Sequence, residues 1–417
     1  WLDEQGQPRP AAREVVQWLT QAASDGLQPA DYDAERWAQA LDVHQPLPPE
    51  RAAQWDELLT RTVTRYLQDL RHGRVDPARL GAHYDSQTAP APELEALLRE
   101  AAARGDPVAA RRAATPPWPQ YQPLLGALAH YRELAGHPAW DQPLPTLPGG
   151  KLQADQRWPG LALLAERLHA LGDLSAGAGD APDTYDTVLQ DGVRAFQARH
   201  TLDTDGVLGS DTLAALNVAP AARVRQIELA LERLRMTPLP AAERFITVNV
   251  PEFMLRAWEH EGAAAHERFA MRVIVGKALD TRTPLFDENM LWIEFNPYWN
   301  IPRSITRRET LPKLHANPGY LAAQGMEFVG PGGERSTAVT PEMLAAVEDG
   351  AWRVRQRPGR LNALGDIKFV LPNNQAIYLH HTPSVGLFNR ARRDFSHGCI
   401  RVEEPVELAH WVLADDS

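Results

Sequence analysis

The chain has a single cysteine, Cys399, in the run FSHGCIRV at positions 395–402. With no second cysteine, no intramolecular disulfide can form, so the thiol is either a small buried hydrophobic group or a reactive one. Gly398 directly before it lets the backbone approach a ligand closely. His380 lies upstream in a strand-like segment, from which its ring can reach the thiol in space. A cysteine paired with such a histidine indicates a thiolate nucleophile and its general base.

Two histidines compete for the role of base. Alternate residues of a strand share a face, so Tyr378 and His380 face one way and His381 the other. With Tyr378 and His380 turned to the cleft, His380 is the predicted base, and the His381 backbone carbonyl can orient its ring through Nδ1–H. His397 is the rival, but it lies only two residues from Cys399, a spacing that rarely gives good geometry for proton transfer.

The remaining polar residues near the cysteine have predicted supporting roles. The backbone N–H groups of Gly398 and Cys399 are predicted oxyanion donors, and Ser396 is predicted to hold the turn. Arg401 either pairs with a substrate carboxylate or braces the loop, and Arg390 is a further carboxylate candidate. We expect substrate contacts at Tyr378, Arg401, Ser396, His397, Arg393, Trp299 and Asn296. Tryptophan and tyrosine in strands are more often core residues, which is the alternative for Trp299 and Tyr378.

Charge is distributed unevenly. The formal net charge of −11 over 417 residues argues against a general nucleic-acid binder. From Met290 to Val402, however, 14 Lys and Arg stand against 9 Asp and Glu. A local basic surface suits a substrate with carboxylates, although a solvated loop face gives the same count. No segment approaches 18 consecutive apolar residues, so no membrane span is predicted.

The elements that must position these residues fall into three regions. Residues 1 to about 150 carry helical apolar spacing and no catalytic constellation, and Asp31 is a predicted helix cap. Residues 142–150, with three prolines and two glycines, are a predicted linker. Residues 155–222 form a compact unit of predicted helices, and residues 223–240 form a linking helix with a proline-rich stop.

The third region, residues 241–417, changes to a strand-like period. β-Branched and aromatic residues predict strands near residues 246–250, 254–258, 268–275, 291–296, 368–371, 376–382 and 400–402. Residues 303–357 interrupt this pattern with helical and glycine-rich stretches. An insertion between strands that bracket a site indicates a lid. A rigid structural excursion is the alternative.

Several ordered residues around the cysteine resemble a known signature. They are His380, Thr382-Pro383, Leu387-Phe388, Arg390, Arg393 and the run 396–401. Together with Pro358-Gly359, residues 362–365, Lys368-Phe369 and Pro372-Asn373, they are similar to L,D-transpeptidases with a YkuD-type catalytic domain. The chain is most like the large, multi-domain YcbB-like members. In the middle region, Phe196-Gln197, residues 205–207, Gly209, Thr212-Leu213 and Leu216-Asn217 resemble a small three-helix peptidoglycan-binding domain.

The resemblance implies a multi-domain α+β fold. A helical scaffold domain would precede the peptidoglycan-binding domain, and a mostly β YkuD-type catalytic domain with an inserted capping lid would follow. The residues that match in the middle region are mainly fold residues, so they indicate the fold better than the ligand.

The resemblance also implies the chemistry. Cys399 would attack a peptidoglycan tetrapeptide stem at the bond before the terminal D-Ala, and a second stem's amine would resolve the thioester as a 3→3 cross-link. Implied partners are stem peptides, glycan and carbapenem inhibitors, with other cell-wall synthases as candidates. No cofactor or metal is expected, because no clustered ligand set is seen.

Other outcomes stay open at this point. Water as the acceptor would make the protein an L,D-carboxypeptidase, and a lipoprotein lysine would give protein anchoring. A cysteine peptidase acting on ordinary peptides, or a non-catalytic cell-wall binding protein, are the alternative functions. The expected location is the periplasm, and the start at Trp1 without Met is compatible with a preceding export signal or inner-membrane anchor.

Overall fold

The computed structural model describes residues 1–41, 48–80, 82–83, 91–175, 183–262 and 264–414. The chain divides into two compact units, Trp1–Glu243 with His260–His266 and Arg244–Glu259 with Glu267–Ser417, and each is described by itself. Within the described residues, none of the helices combines the length and apolar character needed to cross a membrane.

The first unit is mainly helical. Its helices are α1 (Pro10–Thr20), α2 (Ala34–Ala40), α3 (Pro49–His72), α4 (Ala91–Ala103), α5 (Val108–Ala114), α6 (Tyr121–Glu133), α7 (Leu161–Leu171), α8 (Thr187–Arg199), α9 (Ser210–Leu216) and α10 (Pro220–Met236), with a short strand β1 (Ala82–His83). The cap prediction for Asp31 is wrong. Asp31 lies inside a 3₁₀ turn, and α2 begins after Asp33, whose φ is +50°.

Helices α7 to α9 share one apolar cluster with the segment before them. Leu144, Leu152 and Trp158 are buried in it together with residues of all three helices. Leu144, which lies in the predicted linker of residues 142–150, is therefore part of this core. Proline and glycine content predicted the chain's irregular path there, but not that an apolar side chain within it is buried.

The second unit is built on one large sheet. Its strands are β2 (Arg244–Asn249), β3 (Met254–Glu261), β4 (Ala264–Gly276), β5 (Leu285–Phe286), β6 (Trp292–Phe295), β7 (Trp299–Asn300), β8 (Met326–Val329), β9 (Arg335–Ser336), β10 (Arg353–Gln356), β11 (Ile367–Val370), β12 (Leu379–His380), β13 (Asp394–Ser396) and β14 (Ile400–Val402). The main sheet has the order β2-β3-β4-β14-β12-β11-β6, and β13 pairs with β4. This mixed helical and β-rich architecture confirms the predicted fold class.

The two faces of this sheet differ because successive side chains of a strand alternate. Val273, Phe369, Leu379 and Val402 lie in an apolar core, to which the C-terminal helix adds Leu408. Residues one position away on the same strands therefore point to the opposite face, where the polar site lies.

The predicted strand over residues 376–382 is shorter than expected. Only Leu379–His380 forms strand β12, because Asn373 holds the preceding residues in a turn. Its Nδ2 donates to the Ile377 carbonyl at 2.6 Å, and its Oδ1 accepts from the Ile377 N–H at 2.9 Å. Ala376 has φ +54° in this turn.

The segment predicted to be a lid has its own fold. Its helices are α11 (Arg303–Ile305), α12 (Leu311–Ala316), α13 (Tyr320–Ala323) and α14 (Pro341–Asp349), with a π-helical turn at Thr306–Thr310. Strands β7, β10, β8 and β9 form a small antiparallel sheet. Leu314, Phe328 and Val354 lie in its separate core. The last helix of the chain is α15 (Pro405–Val412).

Candidate active site

Cys399 ends a tight turn between β13 and β14. The Ser396 hydroxyl donates to the Cys399 carbonyl at 2.6 Å and accepts from the Gly398 N–H at 3.1 Å. Gly398 has φ +119°, a conformation that side chains rarely adopt. The Gly398 N–H is thus already bonded within the turn, and its role as an oxyanion donor, which requires it to leave or share this bond, stays a prediction.

Two threonines hold this turn from the segment after β4. The Thr281 hydroxyl donates to the Ser396 carbonyl at 2.9 Å, and the Thr283 hydroxyl donates to the Gly398 carbonyl at 2.8 Å. Thr283 also accepts from the Gly276 N–H at 2.9 Å and is only 2% exposed. The carbonyl groups on either side of His397 are therefore fixed by side chains distant in sequence.

The Cys399 thiol lies among polar groups and is half-buried. Its Sγ is 3.5 Å from the Ala376 carbonyl oxygen, and the Tyr378 side chain lies near enough to influence the pKa of the thiol. Burial raises the pKa of the thiol. Tyr378 and the positive charges of Arg401 and Lys368 act in the opposite direction.

Tyr378 lies beside the nucleophile and keeps its proton. Burial, followed by the nearby Cys399, raises its pKa, so the phenol stays protonated at neutral pH. Its hydroxyl also interacts with the Trp299 side chain. The Lys368 Nζ lies 4.7 Å from the centre of the Tyr378 ring, a cation–π contact that steadies the ring.

His380 is a buried, neutral imidazole. Its Nδ1 lies 2.5 Å from the His381 carbonyl oxygen, so an Nδ1–H donor leaves Nε2 as the basic atom. Burial, followed by the charge of Arg401, lowers its pKa to about 3. Its ring lies 5.6 Å from that of Tyr378, centre to centre.

Cys399 and His380 make no hydrogen bond with each other in the described part of the chain. The thiol is instead directed to Ala376 and Tyr378. Catalytic hydrogen bonds often tighten only once substrate is bound. The assignment of His380 as the base therefore stays a prediction.

One row of the sheet carries four charged or titratable residues. Strand register sets Lys368 opposite both Glu294 and His380, and His380 opposite Arg401. Residues directly opposite in register share a face. Lys368 Nζ is 3.4 Å from Glu294 Oε2. The Arg401 Nε is buried and has no hydrogen-bond partner in the part of the chain that the structure describes.

Not all predicted residues join this row. Arg393 is 3% exposed and donates to the Arg390 and Phe253 carbonyls, so it braces the loop. Its contact with substrate stays a prediction. The exposed Asn296 donates its backbone N–H to the Asp366 carbonyl, and no contact with the row is recorded for its side chain among the described residues. His397 Nε2 lies 2.6 Å from Glu309 Oε1, in the insertion.

Sequence reasoning missed several residues at this site. Thr281, Thr283, Glu294 and Glu309 received no role, and Lys368 was noted only as part of the resemblance. Alternation along β11 places Lys368 on the face opposite Phe369, so the sequence pattern could have identified Lys368 as a site residue. No comparable signal marks the two threonines or Glu309.

Three family models match successive parts of this chain. Residues 243–417 match the L,D-transpeptidase catalytic domain family YkuD, residues 159–216 match a peptidoglycan binding domain family, and residues 1–128 match a scaffold domain family. A Haemophilus influenzae protein provisionally named an L,D-transpeptidase is 34% identical over 188 residues. That alignment covers 45% of this chain and 37% of the relative's length.

The solved structures that match include a fused Zn-dependent amidase/peptidase with a peptidoglycan-binding domain from Clostridium acetobutylicum. It is 17% identical with a TM-score of 0.15, over 34% of this chain and 69% of that chain, and at that score the likeness carries no argument. The domain matches and the Haemophilus relative confirm the resemblance that the sequence indicated. This chain therefore carries a YkuD-type L,D-transpeptidase catalytic domain, preceded by a peptidoglycan-binding domain and a scaffold domain.

Proposed function

We propose that this protein is an L,D-transpeptidase that uses Cys399 as its nucleophile and joins peptidoglycan stems by 3→3 cross-links. The observation that carries the proposal is the surroundings of the thiol. A protonated Tyr378 lies beside it, the cations Lys368 and Arg401 lie close enough to favour the thiolate, and a neutral His380 occupies the neighbouring strand. This combination supports covalent acyl transfer.

In the first half-reaction, Cys399 attacks the carbonyl before the terminal D-Ala of a tetrapeptide stem. The thiol proton passes to His380 Nε2 and from there to the departing D-Ala nitrogen. The C–N bond breaks and a C–S thioester bond remains. The Cys399 N–H, joined by that of Gly398 once it leaves Ser396, would stabilise the oxyanion, a contribution of about 3 kcal/mol per donor.

In the second half-reaction, an amine on another stem attacks the thioester. The new amide bond forms, the C–S bond breaks and the thiolate keeps the electron pair. The amine proton leaves through His380. The Arg401 guanidinium, buried with an unpartnered Nε, is suited to a stem carboxylate.

Location and partners follow from the proposed substrate. Peptidoglycan is the partner that the catalytic and peptidoglycan-binding domains support, and the proposed location is the periplasm. Carbapenems present a strained carbonyl to a nucleophile and are expected to acylate Cys399. Other cell-wall synthases remain candidate partners.

The proposal is tested by incubating the full chain with purified disaccharide tetrapeptide and analysing products by mass spectrometry. We expect free D-Ala and 3→3 dimers from the parent and neither from Cys399→Ala. Tripeptide without dimers would instead favour the carboxypeptidase function. Binding to sacculi with no product of either kind would favour a non-catalytic wall-binding protein.

The choice of base has its own test in the same assay. His380→Ala should reduce turnover more than His397→Ala, because His380 is buried, neutral and oriented by a backbone carbonyl, whereas His397 is exposed. The reverse order would refute the assignment of His380.

A further inference from the structure

Buried hydrogen bonds attach the insertion to the catalytic sheet where the two ends of the insertion meet. Asn362, which is 1% exposed, donates to the Pro297 carbonyl at 2.8 Å and the Arg357 carbonyl at 3.1 Å, and so ties the two ends of the insertion together. Gln356, 2% exposed, donates to the Gln324 and Leu361 carbonyls. These buried bonds fix the insertion where it joins the catalytic sheet.

A second attachment is of a different kind. Glu309 Oε1 lies 2.6 Å from His397 Nε2, across 88 residues of sequence, and joins the insertion to the nucleophile turn. The two side chains are 41% and 42% exposed. An exposed pair is weak and can be broken without opening a core. The turn it contacts is the one that Thr281 and Thr283 hold rigid.

The backbone of the insertion directs Glu309 to this contact. Glu309 belongs to the π-helical turn Thr306–Thr310, and both terminal threonines are buried at 4% exposure. Single π-helical turns re-aim side chains and are frequent at functional sites. Arg307 and Arg308 in the same turn are exposed and offer cations to a peptide with carboxylates.

We propose that the Glu309–His397 contact determines which acceptor resolves the thioester, by holding the insertion against the nucleophile turn so that the amine of a second stem is favoured over water. This inference rests on the proposed function. Glu309 acts here as a positioning residue, through His397, and does not touch the reacting atoms.

The reason lies in what each acceptor requires. Both acceptors form a bond to the thioester carbon, break the C–S bond and lose one proton to His380. The stem amine is dilute and must be held in line with the carbonyl, an advantage that bound, oriented reactants gain over free ones. Water is abundant and needs no holding. Releasing the insertion therefore slows aminolysis more than hydrolysis.

The test compares the parent, Glu309→Gln and Glu348→Gln as full chains with disaccharide tetrapeptide. Glu348 is an exposed carboxylate on α14 of the same insertion, and no contact of its side chain is recorded within the described residues. Glu309→Gln should raise the ratio of tripeptide to dimer about two- to fivefold, the factor that an exposed ion pair is worth. Its rate of acylation by a carbapenem should stay within about twofold of the parent, because acylation involves no acceptor.

A double-mutant cycle identifies the contact as the cause. Adding His397→Gln to Glu309→Gln should shift the product ratio no further than the larger single change, since both remove one interaction. Three results would overturn this inference and leave the proposed function standing. They are an unchanged product ratio in Glu309→Gln, an equal change in Glu348→Gln, and additive effects in the double variant. A parent that forms neither product would refute the proposed function, and the inference with it.

Discussion

At the scale of single residues, opposing influences set how much thiolate Cys399 carries. Burial favours the neutral thiol, whereas the Tyr378 hydroxyl and the cations Arg401 and Lys368 favour the anion. Burial also keeps His380 uncharged. The resting site therefore holds a protonated thiol beside a neutral base, ready for proton transfer when a carbonyl arrives.

The pH dependence of acylation follows from these directions. Because the reactive form is the protonated thiol beside neutral His380, and the pKa of Cys399 is raised, the rate of carbapenem acylation should stay level across the neutral range and change only where the thiol ionises at higher pH. His380, with a pKa of about 3, is already neutral at pH 5 and should add no second limb above it. Stopped-flow acylation from pH 5 to 9 measures this. A rate limb centred near pH 6.5 would mean that His380 titrates as an ordinary histidine.

Substitutions of Lys368 and Glu294 should shift the pH profile of acylation in opposite directions. Lys368→Met removes a cation that favours the thiolate and should move the profile to higher pH by roughly half a unit. Glu294→Gln removes the carboxylate 3.4 Å from Lys368 and should move it to lower pH. The same acylation series measures both. If both substitutions move the pH profile in the same direction, or lower the acylation rate without moving the profile, the pair only supports packing.

At the scale of elements, the nucleophile turn depends on bonds from outside it. Sequence alternation was enough to place His380 and Tyr378 on one face, because a period of two is a local property. The Thr283 bond to Gly398 spans 115 residues, so its existence depends on how β4 and β14 pair. A single sequence contains no local signal for such a contact.

The same distinction explains two features that the sequence did not predict. Arg393 has the residue type that binds carboxylates, but its burial against Phe253 and the Arg390 carbonyl is decided by tertiary packing. The predicted strand around His380 is too long because the hydrogen bonds of Asn373 to Ile377, just before the strand, compete locally with strand pairing.

Thr283 should be needed for both stability and reactivity. Thr283→Val keeps the volume but leaves the Gly276 N–H and the Gly398 carbonyl unpaired, which should lower the free energy of unfolding by about 1–3 kcal/mol. Acylation should slow by about tenfold or more as the turn loosens. Thr283→Ser retains the hydroxyl and serves as the matched control in urea unfolding and acylation assays. Parent-like acylation by the valine variant would contradict the role of this bond.

At the scale of the whole molecule, the peptidoglycan-binding unit extends further towards the N-terminus than its sequence suggested. Arg167, 1% exposed, donates to the Ala139 carbonyl at 2.9 Å and the Gln142 carbonyl at 2.6 Å. Leu144 and Leu152 complete the apolar cluster. Helical spacing located α7 to α9, but an irregular segment gives no periodic signal for burial.

Separate expression of this unit should depend on that segment. Residues 138–219 should unfold cooperatively in thermal circular dichroism, whereas residues 155–222 lose Leu144 and Leu152, each worth about 1.5–3 kcal/mol of burial, and two acceptors of a buried arginine. The melting temperature of Leu144→Ala in the longer segment should lie between those of the two unsubstituted segments. Equal melting temperatures for the two segments would contradict the packing described.

The central claim is that Cys399 forms the acyl-enzyme, and intact-protein mass after mixing with a carbapenem tests it most directly. The account predicts one adduct per chain, mapped by peptide digestion to Cys399, and no adduct on Cys399→Ala. Folded parent protein that stays unmodified, or a Cys399→Ala variant that is modified equally, would contradict it.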